Sequence, residues 1–552
     1  MGHPAVDLGG TMPSTRRAVL GLATLVATSL VAGSLTVPFA AGAAANTSAR
    51  QSDTSARTPS RADARAALAR AQAIFAPSTT WARSGSLTEA TRGDASIALR
   101  DLALAAPSLG RAGQRTANQL LARPSNPNAY DAWGVRSKLK TCNRRLCVRW
   151  TTKGDNAPPR RDSDGDGIPN QVELTLQVMN HVWDTEVVAM RYRRPLTDQR
   201  ASIDNQDKRF DVYLAALPRG LYGYCAPDDS RMKSKTYPYY DVAAYCVLDD
   251  DYARSDFPTG TPVSNLKVTA AHEFQHAIQF AYDVSEDTWI MEATSTWMED
   301  QVYSNVNDNR QYLPFGQLKT PSRPLDFGKS PTWYGNWIFL RWLSETYDPA
   351  LVRQIWTRLD ASAVGPDDYS TQGVASALSG RGSTLADTYA AFAAANQTPK
   401  ASYSEGVAYP NAARQVVKLG APGSLKSTVN DTLTHLSSST VRYLPLSSTP
   451  GTTIDLVVDA PPTAAGGRAV LIRVTAGGSV DTQPLGLDAA GDLHVPLMAF
   501  DKGSVKSVSI VLVNAGARVL ASTCFHHQTL FACGGAQSQS DGAGVSVTAT
   551  VS

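Results

Sequence analysis

The spacing of apolar residues divides the chain into regions with different predicted secondary structure. Between residues 61 and 122, alanine and leucine recur at helical intervals in stretches such as RADARAALARAQAIFA, which predicts a small helical unit. From Cys147 onwards, alternating runs rich in valine and tyrosine predict strands, with a helix from about Gln171 to Met190 between them. Helices then dominate, and they are predicted over 264–283, 287–304, 332–346, 349–360 and 383–396.

The helical pattern ends near residue 397. Residues 425–552 are rich in serine, threonine, valine and glycine, with short alternating runs such as TIDLVVDA and VKSVSIVLVNA between turn-rich spacers. This pattern predicts an all-β, sandwich-like C-terminal domain. Strands followed by helices predict an α+β domain over 130–400, and the helical segment before it covers 46–125.

The N-terminus has the layout of an export signal. Two arginines in STRRAVL precede an apolar stretch that runs to about Ala40 and ends in small residues. We therefore predict a signal peptide over 1–45, cleaved after Ala43 or Ala45, and a secreted, extracellular protein. The arginine pair also fits a twin-arginine signal, while ordinary secretion stays open. A membrane-anchoring helix is the alternative, which the content of Gly, Ala, Ser and Thr disfavours.

The helical segment over 46–125 lies between the predicted signal peptide and the α+β domain. A segment in that position is either a propeptide that is removed or a helical cap that stays attached. The sequence leaves both alternatives open.

Composition limits the partners of the chain. The net charge is +3 and charged residues make up 18% of the sequence, so no basic surface for nucleic acid is predicted. Apart from the N-terminal stretch, no segment is long and apolar enough for a membrane anchor. The six cysteines form three local couples, which we predict as disulfides in an oxidising compartment: Cys142/Cys147, Cys225/Cys246 and Cys524/Cys533.

The stretch TAAHEFQHAIQFAYD carries the strongest chemical signal. At about 100° per residue, His272 and His276 share one face of a helix, and Phe274 and Ile278 lie on the opposite, apolar face. Two imidazoles four residues apart can bind one tetrahedral metal ion. Glu273 then lies beside the ion, where a carboxylate can act as general base. An ordinary amphipathic helix can also contain H-E-x-x-H by chance, so a third ligand is needed.

That ligand is predicted on the next helix, DTWIMEATSTWMEDQVY. Glu292 shares a helical face with Glu299 and has small neighbours, and it follows His276 by enough residues for an antiparallel return. We predict Glu292 as the third ligand, with Asp283 and Glu299 as rivals.

These two motifs together resemble the gluzincin branch of the H-E-x-x-H zinc metallopeptidases. More narrowly, AHEFQHAIQFAYD with WIMEATSTWMED resembles a group of secreted bacterial metallopeptidases known mainly from sequence. The resemblance implies a zincin-like catalytic domain with Zn²⁺ held by His272, His276 and Glu292, and with Glu273 as general base. In well-known gluzincins an aspartate one turn after the ligand glutamate supports a histidine. Thr296 stands there, and Glu299 is a candidate substitute.

The metzincin pattern does not fit, because Gln279 and Tyr282 replace its glycine and its third histidine. A donor to the oxyanion is also required, and Tyr334 in PTWYGNWIF is the candidate because gluzincins often place a Tyr or His downstream. The alternative is that Tyr334 packs in a cluster of aromatic residues.

An acidic stretch, DSDGDGIPNQVE over 162–173, has the ligand spacing of an EF-hand-type calcium loop. Acidic residues occupy positions 1, 3, 5 and 12, and Gly167 occupies position 6. The predicted Ca²⁺ ligands are Asp162, Asp164, Asp166, Ile168 (through its carbonyl), Asn170 and Glu173. A solvated acidic turn is the alternative.

The predicted function is a secreted zinc metalloendopeptidase that acts on a protein or peptide substrate. One rival is a non-catalytic secreted calcium-binding protein whose β domain binds a surface or polymer. A zinc hydrolase for other substrates is a third alternative. Glu273 argues against a purely structural zinc site, because such a site needs no base.

Overall fold

A computed structural model describes the chain over residues 59–75, 95–130, 132–133, 139–196, 208–229, 232, 239–328, 331–420, 426–517 and 541–552. The predicted signal peptide and the Cys524/Cys533 couple lie outside these residues. Among the helices of the described part, none combines the length and the apolar character that a bilayer crossing requires.

A mixed five-stranded sheet lies at the centre of the N-terminal half. Its strands are β1 (Leu139–Cys142), β2 (Leu146–Trp150), β3 (Phe210–Ala215), β4 (Gly223–Pro227) and β5 (Ala244–Asp249). They lie in the order β1-β2-β3-β5-β4. The three inner strands are parallel to one another, and β1 and β4 pair antiparallel to their neighbours. The sheet therefore ends in an antiparallel edge strand, β4.

Helices cover both faces of this sheet. The N-terminal helices α1 (Arg61–Phe75), α2 (Ala95–Ala105) and α3 (Arg111–Leu120) pack on one face, where Tyr213, Tyr224 and Tyr245 join their apolar core. Because successive strand residues point to opposite faces, Val212 and Leu214 belong to the core on the other side. The N-terminal helices thus form a complete layer on this sheet.

The second face carries the helices with the predicted metal ligands. These are α4 (Asn170–Trp183, followed by a π-helical turn at Asp184–Ala189), α5 (Pro262–Phe280) and α6 (Thr288–Val302). A 3-10 helix, Asp308–Phe315, follows. The remaining helices are α7 (Thr332–Gly335), α8 (Trp337–Thr346), α9 (Pro349–Arg358), α10 (Thr371–Ser379), α11 (Leu385–Ala395) and α12 (Pro399–Ser402). The helix predicted over 332–346 is therefore divided at Asn336.

The C-terminal region is a two-sheet β structure. Its strands are β6 (Gln415–Leu419), β7 (Lys426–Leu433), β8 (Ser437–Pro445), β9 (Thr453–Asp459), β10 (Gly467–Thr475), β11 (Val480–Leu485), β12 (Asp492–Ala499), β13 (Val505–Asn514) and β14 (Ala543–Val551). They form the sheets β11-β10-β13-β8-β6 and β12-β9-β14-β7. The first strand begins at Gln415, before the start predicted at residue 425. A chain of helices and sheets with a C-terminal β-rich region is confirmed, and the zincin-like character of the middle region stays a prediction.

The β region packs directly against the helical body. Val470, Ile472, Val511 and Val513 belong to the same apolar core as helices α5 and α6. Beside this contact, the His435 ring lies between two carboxylates, with Nε2 at 2.9 Å from Asp326 Oδ1 and Nδ1 at 2.7 Å from Asp541 Oδ1.

The first two predicted disulfides are confirmed. Cys142 is bonded to Cys147 across the β1–β2 hairpin, and Cys225 is bonded to Cys246 across β4 and β5.

Candidate metal centre

Helix α5 presents the H-E-x-x-H residues in a buried position. It begins with a capping box in which Thr261 Oγ1 accepts from Ser264 N (3.1 Å) and Ser264 Oγ accepts from Thr261 N (2.7 Å). From Leu266 to Phe280 nearly every residue is buried between the sheet and α6. The face of α5 that carries the two histidines therefore lies against α6 and is buried.

The structure brings the two histidines and Glu292 together. His272 Nε2 lies 3.2 Å from Glu292 Oε2, and His276 Nε2 lies 3.6 Å from the same oxygen. One ligand atom from each of the three residues lies within 4.8 Å of the other two. His276 and Glu292 have no exposed surface, and His272 is 8% exposed. This is a compact set of two imidazoles and one carboxylate.

The outer nitrogens of both rings are engaged by other side chains. His272 Nδ1 is 2.8 Å from Glu299 Oε1, and His276 Nδ1 is 2.8 Å from Gln279 Oε1. Gln279 donates in turn to Met291 O (2.9 Å) and Ser295 Oγ (3.2 Å), which fixes the orientation of its amide. When a metal ion is bound, a proton held at each Nδ1 would leave both Nε2 atoms free to bind the ion beside Glu292.

Two atoms of this set are buried without any hydrogen-bond partner in the described part of the chain: His276 Nε2 and Glu292 Oε1. A buried polar atom without a partner is costly, and a metal ion bound by both atoms would remove that cost. Two histidine nitrogens and a carboxylate are also the donor set of catalytic zinc sites. The residues present therefore fit a zinc ion.

Burial and neighbouring charges shift the pKa of both His272 and Glu292. Burial alone would lower the pKa of His272, but its bonds with Glu292 and Glu299 raise the pKa well above the ordinary value. For Glu292, burial raises the pKa, and the nearby His276 and His272 outweigh it, so the net pKa is lowered. An imidazolium–carboxylate pair therefore occupies the site when no metal does.

The two rival third ligands occupy other positions. Asp283 Oδ1 accepts from Ser285 N and Ser285 Oγ, both at 2.7 Å, within its own loop. Glu299 contacts Nδ1 of His272, the ring nitrogen that faces away from Glu292.

Glu273 borders a cavity of about 520 Å³ that His272 also lines. Its Oε2 accepts a hydrogen bond from Ser96 Oγ at 2.6 Å, and Ser96 belongs to helix α2 of the N-terminal layer. Its backbone carbonyl lies 2.8 Å from Cys225 Sγ. This second approach is a contact only, because a disulfide sulfur carries no hydrogen.

Aromatic side chains also line the cavity, among them Tyr222, Tyr312, Phe315 and Tyr334. The Tyr334 ring centroid lies 6.0 Å from that of His272 and 5.0 Å from that of Tyr312. Burial, followed by the charges of Glu299 and Asp308, raises the pKa of Tyr312, so its hydroxyl stays protonated. Both tyrosines line the cavity.

Two close backbone approaches shape this cavity. A Cβ on Gly335 would lie 2.3 Å from Gly316 N, so only glycine allows the Tyr334 segment to contact the 3-10 helix that carries Tyr312. A Cβ on Gly223 would lie 2.8 Å from Thr269 Cγ2, so glycine allows the edge strand β4 to approach helix α5.

The predicted calcium loop is an exposed turn before helix α4. Carboxylate oxygens of Asp162, Asp164 and Asp166 lie within 4.8 Å of one another. Asp162 accepts from Gly165 N (2.7 Å) and Gly167 N (2.9 Å), and these two bonds lower its pKa. Both glycines have positive φ, which the tight turn requires.

The other predicted calcium ligands are placed differently. Desolvation and then the charges of the three aspartates raise the pKa of Glu173, so it lies near them but outside the compact group. The Asn170 amide is engaged with Ser163, accepting from its N–H and donating to its hydroxyl, both at 2.8 Å. Ile168 N donates to Asp166 Oδ1 at 2.7 Å.

Sequence reasoning missed Ser96, Tyr312 and the role of Gln279. Ser96 is 177 residues from Glu273, so no local spacing connects them. Tyr312 lies on a 3-10 helix without an apolar period. Gln279 follows His276 by three residues and so shares its helical face, and this spacing is the signal that could have identified it.

Comparison with known proteins adds little. No family model matches the chain, and no curated protein matches it. Among solved structures, the chain is similar to the pre-peptidase C-terminal domain of a collagenase from Bacillus anthracis, with 10% identity and a TM-score of 0.15. The match covers 26% of this chain and 99% of that domain. A TM-score this low carries no argument, so the description of the β region rests on its own strands.

Proposed function

We propose that the chain is a secreted, zinc-dependent metallopeptidase with a gluzincin-like catalytic domain. The observation that carries the proposal is the convergence of His272, His276 and Glu292, with His276 Nε2 and Glu292 Oε1 buried and unpartnered. The ordered outer bonds to both Nδ1 atoms support it further, because metal-binding histidines are held in this way.

The chain's own residues would perform hydrolysis as follows. Zinc, when bound, would supply Lewis-acid activation of water and of the substrate carbonyl. Glu273 would accept a proton from the attacking water at its carboxylate and pass it to the leaving amine. Tyr334 would donate a hydrogen bond to the developing oxyanion, and Tyr312 is a second candidate for that donor.

Peptides are the favoured substrates for two reasons. The cavity is lined by aromatic rings and by the start of the edge strand, at Gly223. An edge strand offers backbone donors and acceptors to an extended peptide. The sequence resemblance to gluzincins points in the same direction.

The proposal also includes export of the protein and a bound calcium ion. The two disulfides fit an oxidising compartment. We propose that Asp162, Asp164, Asp166 and Glu173 would hold a calcium ion, whose charge would offset the repulsion that raises the pKa of Glu173. The Asn170 side chain closes the loop through Ser163 instead.

Elemental analysis of purified protein tests the proposal. We expect one zinc per chain in the wild type and none in His272→Ala or Glu292→Ala, together with cleavage of casein by the wild type alone. A well-folded wild type without zinc would refute the peptidase. The chain would then be better described as a secreted calcium-binding protein whose β domain binds a surface or polymer.

A further inference from the structure

Ser96 makes two hydrogen bonds at the centre of the molecule. Its hydroxyl donates to Glu273 Oε2 at 2.6 Å and accepts from Cys225 N at 2.8 Å. The direction of both bonds is fixed, because a backbone N–H can only donate and a hydroxyl has a single hydrogen. Ser96 has no exposed surface. A continuous chain of donors therefore runs from the edge strand to the Glu273 carboxylate.

The register of β4 leaves the N–H of Cys225 free to donate to Ser96 and not to strand β5. Cys225 lies opposite Cys246, and the two are joined by the disulfide with a Cα–Cα distance of 4.0 Å. A pair this close is a non-hydrogen-bonded pair of an antiparallel ladder, in which both backbone groups point away from the partner strand. The N–H of Cys225 therefore points out of the sheet edge, where Ser96 receives it.

Helix α2 contacts both the start of helix α6 and the central sheet. The buried Arg100 side chain donates to Glu286 O (2.7 Å) and Thr288 Oγ1 (3.0 Å), at the start of helix α6. On its other side, α2 packs into the core that includes Tyr213 and Tyr245 of the sheet. These contacts fix the position of Ser96 relative to Glu273 and the α6 helix.

We propose that Ser96 is a positioning residue for Glu273, and that helix α2 consequently belongs to the working enzyme. The bond to Oε2 holds the carboxylate in one rotamer and leaves the other oxygen for the cavity. This inference rests on the proposed peptidase function. If Ser96 positions Glu273, residues 46–125 are a helical cap that stays attached and not a propeptide that is removed. Removal of a propeptide would take Ser96 with it.

A matched pair of serine variants tests the inference. Ser370 is also buried, donates to Asp287 Oδ2 at 2.6 Å and accepts from Trp289 Nε1 at 2.9 Å, away from the cavity. Both Ser96→Ala and Ser370→Ala delete one buried hydroxyl with the same bonding pattern. We expect kcat for a peptide to fall about 10–100-fold in Ser96→Ala with KM nearly unchanged, and to stay at the wild-type value in Ser370→Ala. Ser96→Thr, which keeps the hydroxyl, should recover most of kcat.

Zinc content and melting temperature, measured on all four proteins, separate a folding defect from a catalytic one. Equal kcat in both alanine variants, with zinc bound, would overturn the inference. A higher kcat in Ser96→Ala would also overturn it, because helix α2 would then be an inhibitory segment. The N-terminus of the active, zinc-bound protein is determined on the same preparation, and a start beyond residue 125 would contradict the inference as well. A wild type without zinc or activity would instead refute the peptidase itself, and the role of Ser96 would fall with it.

Discussion

Two candidate ion sites of this protein, the histidine site and the aspartate loop at 162–173, are built in opposite ways. The histidine site is buried between α5 and α6, and its ligands are oriented by Glu299 and Gln279. The aspartate loop is exposed, and its carboxylates are oriented by backbone N–H groups of the loop itself, at Gly165 and Gly167. A buried site is set by the whole fold, whereas an exposed loop is set by local sequence.

Because of this difference, we expect the histidine site to act in catalysis and the aspartate loop to act in stability. In the buried site, the His272–Glu292 pair balances charge even without an ion, and Glu273 and a cavity lie alongside. The loop has acidic side chains of one sign, and much of it is exposed to solvent. We therefore expect loss of the first ion to abolish activity and loss of the second to weaken the fold.

The largest expected effect is on catalysis. Glu273→Gln removes the proton acceptor while keeping the shape of the side chain and its acceptor for Ser96. We expect kcat to fall at least about 10²–10⁴-fold with one zinc still bound. Asp164→Asn, the matched acid-to-amide change in the loop, should leave kcat close to the wild-type value at ambient temperature. Equal effects of the two variants on kcat would contradict the proposed division of roles.

The next effect concerns Glu299, which orients His272. Glu299→Ala should lower zinc affinity or kcat/KM by roughly 10–100-fold, because the Nδ1 partner of a metal ligand is lost. Glu299→Gln retains an acceptor and should show a smaller loss. Zinc competition titrations with a chromogenic chelator measure the affinity. Unchanged affinity and activity in Glu299→Ala would show that Glu299 has no supporting role.

The sequence could predict the parts of these sites that depend on local spacing. The helical period identified the face of His272 and His276, and the acidic spacing of 162–173 identified the loop. The sequence favours Glu292 over Glu299 as the third ligand only through the small neighbours of Glu292 and the gluzincin resemblance. The distinct contacts of the two glutamates depend on how α6 packs against α5, and a single sequence does not contain that packing.

Other features depend on contacts that are remote in the chain. Strand β4, GYCAP, contains glycine and proline and has no clear alternation, so it was not predicted, although it forms the edge beside the cavity. The N-terminal helices were recognised as helices, but their apolar faces did not reveal that their partner is the central sheet. Ser96 became visible only through that packing.

The pH dependence of metal binding gives a third, smaller effect. The pKa of His272 is raised, so its ring carries a proton in the metal-free protein that zinc must displace. Zinc affinity should therefore keep rising, by up to about tenfold per pH unit, above about pH 6.5, where an ordinary histidine loses its proton. The pKa of Asp162 is lowered, so this ligand stays ionised and should add no pH dependence to calcium affinity over this range. Isothermal titrations with each ion measure both slopes, and a flat zinc curve would contradict the protonated pair.

The smallest effect is the stability supplied by the loop. An ion that binds only the folded state stabilises it by about 2.7 kcal/mol when its concentration is a hundred times the dissociation constant. For a chain of this size that amounts to a shift of roughly 5 °C or less in melting temperature. Calcium should raise the melting temperature of the wild type by that amount, and Asp164→Asn should abolish the rise. Asp155→Asn changes an exposed aspartate shortly before the loop and should keep the full shift. If calcium stabilises Asp164→Asn as strongly as it stabilises the wild type, the ion binds elsewhere and the acidic stretch is a solvated turn.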